Sequence, residues 1–319
     1  MSYKILNTIG KKYSKEARKI LKRIGRIDYL ELNQEELKNK ISQYDILIVG
    51  LGLNINKEII KNGKNLKIIA ATTTGLDHID INFAKTKNIK ILSLKGQKEF
   101  LKNVTSTAEL AFGLIIILLR NIFSAFESVK KYHWQREKFR GFSLRGETLG
   151  IVGLGRLGKI MAKYANTFGM KVIAYDPSLK NYIFDKFGCK KVNFHNLLAK
   201  SDIITIHVPL DKKTKNMFDR KAFDKMKTTA LLINTSRGKI VNEKDLLKSL
   251  RKNKIAGYGT DVLADELNFT EKFDIHPLVE YAKNNNNLII LPHIGGMTHQ
   301  SREMTDIFMA EKIKKELSK

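Results

Sequence analysis

From Thr148 to Asp176 the chain reads TLGIVGLGRLGKIMAKYANTFGMKVIAYD, and no other stretch restricts its fold so tightly. An apolar run (Leu149 to Val152) leads into Gly153-x-Gly155-x-x-Gly158, followed by a helical pattern to Phe168. Gly169 stops that helix, and a second apolar run, Val172 to Tyr175, ends on Asp176. Strand, glycine turn, helix and strand with a terminal acid make the βαβ unit that binds dinucleotides. Gly153 permits the tight turn out of the strand. Gly155 lets the backbone approach a pyrophosphate, and Gly158 lets helix pack closely on strand. The helix N-terminus presents N–H groups and a positive dipole end to the phosphates. Asp176, 18 residues past Gly158, can accept hydrogen bonds from the adenosine ribose and would repel a 2′-phosphate, which favours NAD over NADP.

A chain of 319 residues has room for two domains with separate cores. Residues 1–93 alternate short apolar runs with amphipathic stretches. Strands are expected at Lys4 to Thr8, Ile27 to Leu30, Ile46 to Val49, Ile68 to Ala71 and Ile89 to Ser93. Helices are expected near Lys15 to Arg23, Gln34 to Ile41, Lys57 to Lys61 and Ile81 to Lys87. That alternation implies a parallel sheet covered on both faces, a complete α/β domain ahead of the glycine motif. The alternation resumes after Asp176, with strands at Ile203 to Val208, Ala230 to Asn234, Ala256 to Asp261 and Leu288 to Leu291. Gly96 and Gln97 open a polar stretch read as the first crossing between domains. The last stretch, Gln300 to Leu317, reads as a helix that packs back on the first domain. The expected division is 1–102, 103–296 and a returning helix within 297–319. The helical pattern from Ser106 is apolar nearly all round between Leu110 and Leu119, so it is expected to be buried on all sides, inside one subunit or between two. Trp134 and Phe139 are read as lying on a loop.

The net charge of +26 raises the question of nucleic acid. The lysines are scattered among Asn and Ile along the whole chain, without an arginine-rich or aromatic-interleaved patch, and read as solvated faces. The Leu110 to Leu119 run is too short to span a bilayer, and no basic-then-apolar leader opens the chain. A cytoplasmic protein without nucleic-acid or membrane partners is expected. The single cysteine, Cys189, excludes an intrachain disulfide and a cysteine-cluster metal site.

Three groups stand where an open parallel sheet places its ligands, at the carboxyl ends of expected strands. Arg237, beside Gly238, suits bidentate binding of a carboxylate. Asp261, Asp265 and Glu266 form an acidic group. His293, between Pro292 and the pair Gly295-Gly296, has the most constrained setting of the seven histidines. His133, His195 and His276 read as exposed, and His207 as structural.

The motifs TTTGLDHID, STAEL, LGIVGLGRLG with Asp176, HVPL, NTSRG, DVLADE and PHIGG follow one another from about Ile46 to about Ser301. In that order they resemble the D-isomer-specific 2-hydroxyacid dehydrogenases. The resemblance implies two doubly wound α/β domains, a flavodoxin-like substrate domain and a Rossmann dinucleotide domain, and a homodimer. It implies NAD as cofactor, no metal, and hydride transfer between the nicotinamide and C2 of a small 2-hydroxy or 2-keto acid. Arg237 would hold the substrate's carboxylate and carbonyl, His293 would be the general acid/base, and Glu266 would hydrogen-bond His293 and favour its charged form. Asp265 and Glu271 are alternative carboxylates for that place, because Leu267 and some two dozen residues of loop separate Glu266 from His293. Thr74 and Gly75 match the turn that receives the substrate carboxylate. Asp261, Thr235 and Ser236 match nicotinamide contacts, Pro209 an adenine contact, and Arg156 with Leu157 the pyrophosphate turn. The competing expectations are an NAD-sensing regulator on the same fold and a phosphoglycerate dehydrogenase. The relatives that use 3-phosphoglycerate hold phosphate partly with arginines on the loop after the third strand. Here that loop, Val49 to Asn54, has no basic residue before Lys57, and the chain ends at Lys319 with no appended regulatory domain. The expected substrate is therefore small or partly apolar and unphosphorylated, such as hydroxypyruvate, glyoxylate or a branched analogue.

Overall fold

The structure, a computed structural model, describes residues 2–269, 273 and 275–319. Contacts divide the chain into two units, Met1–Val104 with Leu267–Glu271 and Met297–Lys319, and Thr105–Glu266 with Lys272–Gly296.

In the first unit, β1 (Tyr3–Asn7), β2 (Gly25–Tyr29), β3 (Ile46–Val49), β4 (Ile68–Ala71) and β5 (Lys90–Ser93) form a sheet ordered β2-β1-β3-β4-β5. Every pairing is parallel. The runs ILIV and IIAA are apolar at every position because both faces are covered. Alternate residues Leu6, Leu47, Val49, Ile69 and Ala71 face one core with Leu37, Ile59 and Ile60. Their neighbours Ile5, Ile46, Ile48, Ile68 and Ala70 face the other, against Ala17 and Leu21 of the helix Lys15–Lys22. The same core takes Met309, Ala310 and Ile313 from the last helix, His299–Leu317. That helix is tied down by polar contacts as well. Tyr13 Oη donates to the Asp306 carbonyl (3.0 Å), the Ser14 N–H to Asp306 Oδ2 (3.0 Å), and Lys312 Nζ to the Ser93 carbonyl (2.7 Å). Burial pushes the Asp306 carboxyl up to about 6, against the pull of Arg302.

In the second unit, β6 (Thr148–Val152), β7 (Lys171–Tyr175), β8 (Lys190–Lys191), β9 (Ile203–Ile206), β10 (Leu231–Asn234), β11 (Gly257–Thr260) and β12 (Leu288–Ile290) form a sheet ordered β12-β11-β10-β9-β6-β7-β8. All its pairings are parallel. The order reverses at β6, which lies between β7 and β9, and the crevice beyond the carboxyl ends at such a switch point is where doubly wound sheets bind ligands.

Two expectations need correcting here. The helix Ser106–Leu119 buries Ala108, Ala111, Leu114 and Ile115 against Leu149, Ile151 and Met161, yet Leu110, Ile116, Ile117 and Leu118 stay half-exposed. One chain alone does not enclose it, so of the two expected arrangements only burial wholly inside one subunit is corrected. An unforeseen helix, Ile122–Lys130, follows with no buried residue. Phe126 (60% exposed), Tyr132 (99%) and Trp134 (81%) extend the uncovered apolar surface, and Phe139 ends a 3-10 turn, Arg136–Phe139, rather than lying on a loop. By length and composition alone Lys98–Leu119 could cross a membrane, although Leu110 to Leu119 by itself could not. In the fold this stretch is broken into the helices Lys98–Leu101 and Ser106–Leu119. The second correction concerns the supposed loop before His293. It contains a 3-10 turn, Glu266–Asn268, and a helix, Pro277–Asn284, whose Leu278 N–H is accepted by His276 at the N-cap.

Candidate active site

β10, β11 and β12 are neighbours in the second sheet, so the loops leaving their carboxyl ends lie side by side, one strand spacing of about 4.8 Å apart. Arg237 follows β10, Asp261 to Glu266 follow β11, and His293 follows β12.

The first loop is built by Asn234, fully buried at the end of β10. Its Oδ1 accepts the Ser236 N–H (3.0 Å) and its Nδ2 donates to the Arg237 carbonyl (3.0 Å). The half-buried Arg237 guanidinium donates through Nη1 to the Ser236 carbonyl (2.7 Å). Gly238 is required by its neighbour. A Cβ there would stand 2.1 Å from the Leu263 carbonyl carbon and 2.2 Å from the Ala264 nitrogen. The loop after β11 therefore rests directly on the backbone beside Arg237.

In that second loop, Asp261 is 1% exposed, and its two oxygens accept the Ile294 N–H (2.7 Å) and the Gly295 N–H (2.6 Å). Burial raises its carboxyl above the ordinary range, opposed by those two donors. Thr107 Oγ1 donates to the Gly295 carbonyl (3.1 Å). The backbone on the C-terminal side of His293 is thus clamped, and His293 itself takes a left-handed conformation, φ +55°, of the kind concentrated at functional sites. Its Nδ1 lies 2.8 Å from Glu266 Oε1, while Glu266 Oε2 accepts the Leu263 N–H (3.1 Å). Glu266 is thus the carboxylate that meets His293. Asp265 turns to Lys239 instead (2.5 Å), and Glu271 lies outside the described residues. A carboxylate at this distance fixes the ring through Nδ1 and leaves Nε2 to exchange a proton.

The glycine turn separates three roles. Gly153 has φ +92°, and a Cβ on it would strike Val208 Cγ1 at 2.7 Å; one on Gly158 would meet the Gly153 carbonyl at 2.1 Å. A Cβ on Gly155 would meet nothing within 4 Å, so this residue faces open space, at the N-cap of the helix Arg156–Thr167. Asp176 follows β7 directly and accepts the Leu154 N–H through Oδ2 (3.1 Å), with Ser178 on Oδ1. Burial draws the Arg156 guanidinium down from its ordinary value. Burial and the Arg156 charge hold the His207 imidazole at about 3, uncharged, with Nε2 at 2.8 Å from Thr205 Oγ1. The Val208 carbonyl accepts from Ser236 Oγ (2.5 Å), and the Pro209 carbonyl from Thr214 Oγ1 (2.6 Å). Among the described residues, His207 Nδ1 and Thr235 Oγ1 are buried polar atoms without a protein partner. A bare glycine at a helix N-terminus, an acid at the end of the second strand and orphaned polar atoms after β9 and β10 fit a dinucleotide.

Thr74 and Gly75 belong to the first unit, on the turn after β4, where Thr73 Oγ1 donates to the Gly75 carbonyl (2.7 Å). The loop after β3 is fixed in the same unit by Gln34, whose amide donates to the Asn54 carbonyl (2.7 Å) and accepts its N–H (3.0 Å). Leu51 on that loop is 43% exposed. His276, expected to be exposed, is largely covered and lies 3.3 Å from Glu243. Neither residue is marked by the sequence, because an acid in a helix's first turn and a histidine before a proline each read as ordinary capping.

Residues 112–295 match the family described as D-isomer specific 2-hydroxyacid dehydrogenase, NAD binding domain. A hydroxypyruvate reductase of Thermotoga maritima is 35% identical over 290 residues, covering 90% of this chain and 89% of that one. A D-3-phosphoglycerate dehydrogenase of Methanocaldococcus jannaschii is 34% identical over 304 residues, covering 95% of this chain and 55% of that one. The chain spans about half the length of the phosphoglycerate dehydrogenases it matches. Among solved structures, a D-lactate dehydrogenase of Aquifex aeolicus complexed with NAD and lactic acid superposes with a TM-score of 0.87 at 26% identity, covering 99% of this chain and 95% of that one. With its motifs, both parallel sheets and these relatives in agreement, the chain belongs to the D-isomer-specific 2-hydroxyacid dehydrogenases, and the sheet that carries Gly155 and His293 is its NAD-binding domain.

Proposed function

We propose that the protein is an NAD-dependent oxidoreductase that interconverts a small D-2-hydroxy acid and its 2-keto acid. The observation that carries this reading is the Glu266–His293 couple at 2.8 Å, on the loop adjacent to Arg237. The bound cofactor supplies hydride to C2 in reduction and accepts it in oxidation. The chain's own residues do the rest. His293 Nε2 gives a proton to the developing alkoxide in reduction and takes it back in oxidation, and the Glu266 carboxylate steadies the charged ring. Arg237 stabilises the oxygen's growing negative charge and holds the substrate carboxylate. Thr74 and Gly75, on the turn after β4 of the first unit, are assigned to substrate binding through their backbone N–H groups. Gly155, Arg156 and Leu157 take the pyrophosphate on the turn that Gly153 and Gly158 shape, Asp176 the ribose, and Pro209 the adenine. Thr235, Ser236 and Asp261 border the nicotinamide. The uncovered apolar surface from Leu110 through Trp134 supports a homodimer built through this domain.

The loop after β3 supports an unphosphorylated substrate. Between Val49 and Asn54 it carries no basic side chain, and a phosphate brought there would lose water without gaining a charge-assisted partner. The test is a screen of 2-keto acids with NADH, read at the nicotinamide absorbance and comparing kcat/KM for hydroxypyruvate and 3-phosphohydroxypyruvate. Hydroxypyruvate, glyoxylate or a branched analogue is expected to lead. Preference for the phosphorylated compound refutes the substrate assignment, and no turnover with any keto acid refutes the activity.

A further inference from the structure

Behind the Glu266–His293 couple lies a second carboxylate–imidazole pair. Glu243, in the first turn of the helix Glu243–Arg251, accepts the Ala264 N–H through Oε1 (2.8 Å). Its Oε2 lies 3.3 Å from His276 Nε2, and both side chains are largely covered. The tautomer of His276 follows from its other nitrogen. Nδ1 accepts the Leu278 N–H at the start of the helix Pro277–Asn284 (3.3 Å), so the ring proton is on Nε2 and points at Glu243. Glu243 therefore sits between two donors, and one of them is the backbone of the segment that ends in Glu266. Ala264 is two residues from Glu266, whose Oε2 closes the same segment on the Leu263 N–H.

We propose that Glu243, oriented by His276, is a positioning residue for the acid/base couple, fixing the Leu263–Glu266 segment so that Glu266 meets His293. This rests on the proposed dehydrogenase reading, in which His293 handles the proton. Burial lifts the Glu243 carboxyl above its ordinary value and the two donors oppose that lift. A neutral amide in its place can keep the Ala264 bond but offers its NH2 to the His276 N–H, donor against donor. The His276 ring can relieve this only by moving its proton to Nδ1, which costs the Leu278 bond.

The test uses the full-length protein and separates the two jobs of His276. Asparagine at 276 can still accept the Leu278 N–H but does not reach Glu243, whereas glutamine reaches Glu243 and forgoes the cap. Glu243→Gln and His276→Asn are expected to lower kcat by about tenfold or more, with the NADH dissociation constant within about twofold. The alkaline limb of the reduction profile should move to lower pH, because Glu266 no longer steadies a charged His293. His276→Gln should lose less activity than His276→Asn. A merely structural role predicts the reverse order, following the lost cap and the melting temperature. The proposal is overturned if Glu243→Gln and His276→Asn keep kcat within about twofold with unmoved limbs, or if His276→Gln falls as far as His276→Asn. If the native protein turns over no keto acid, the failure belongs to the functional reading, and histidine-selective NMR decides. A His293 ring titration that is the same in the native protein and Glu243→Gln overturns the proposal; one displaced to lower pH upholds it.

Discussion

Replacing Gly238 by alanine should disable the acid/base couple without touching either member of it. The new Cβ would stand 2.1 Å from the Leu263 carbonyl carbon and 2.2 Å from the Ala264 nitrogen. Ordinary contact begins near 3.4 Å, so the Leu263–Ala264 peptide has to retreat by about 1.3 Å. Both atoms struck are backbone, so no rotamer change relieves the clash. That peptide carries the Leu263 N–H bonded to Glu266 Oε2 and the Ala264 N–H bonded to Glu243, and Glu266 reaches His293 at 2.8 Å. A misplacement of about 1 Å at a catalytic group costs on the order of 10²-fold in rate, close to 2.7 kcal/mol of activation energy. We therefore expect kcat for the best keto acid to fall about a hundredfold while NADH affinity, read by fluorescence titration, changes much less. Steady-state kinetics on the purified variant, with a circular-dichroism melt to establish that it is folded, make the assay. A folded variant that keeps kcat within about threefold refutes the argument that this contact spaces the loop.

Three further outcomes are expected. His293→Ala should lower kcat by roughly 10² to 10⁴-fold with nearly unchanged NADH binding; parallel loss of binding would make the residue structural. Asp176→Ala should weaken NAD and relax discrimination against NADP, and a native protein that already binds both equally would contradict the ribose assignment. Asp306 gives a pH test in the first unit. Its folded value of about 6 lies above the unfolded value of about 3.9, so the native state holds the proton more tightly. Stability is lost as pH rises between those values, by up to about 3 kcal/mol once both states are ionised. Asparagine cannot ionise, so the melting temperature of Asp306→Asn relative to the native protein should climb between pH 4 and pH 7; a flat difference would show that burial does not penalise this carboxylate.

How much of this was written in the sequence depended on what each segment is buried against. β3 and β4 stand where the runs ILIV and IIAA were read, because a strand covered on both faces has no polar position to blur it. The helix Ile122–Lys130 escaped notice for the opposite reason. Its apolar residues face outward, so no core-facing stripe marks it. The helix Pro277–Asn284 carried a histidine N-cap and a proline at its start, but its short length and the asparagine run after it resembled a loop. In the site, spacing along the chain could name Glu266, Asp265 and Glu271 as carboxylates without choosing among them. The choice between Glu266 and Asp265 is made by Gly238 and Glu243, which set the path of the loop through backbone contacts that no side-chain pattern records.

The closing of one sheet face by the helix His299–Leu317 has a consequence for synthesis. Tyr13 and Asp306 are bonded across a separation of 293 residues, and Met309, Ala310 and Ile313 cover apolar strand residues that leave the ribosome first. At roughly 5–20 residues per second, the nascent first unit, made as far as Val104, waits about 10 to 45 seconds for its last helix to be completed, with Ile5, Ile46, Ile48 and Ile68 lacking that cover. The NAD-binding domain has no such dependence: its residues end at Gly296, before the closing helix is made. The N-terminal unit is therefore the later of the two to be completed, and the interval in which its sheet is half-clothed is when this chain is most open to chaperones or to aggregation.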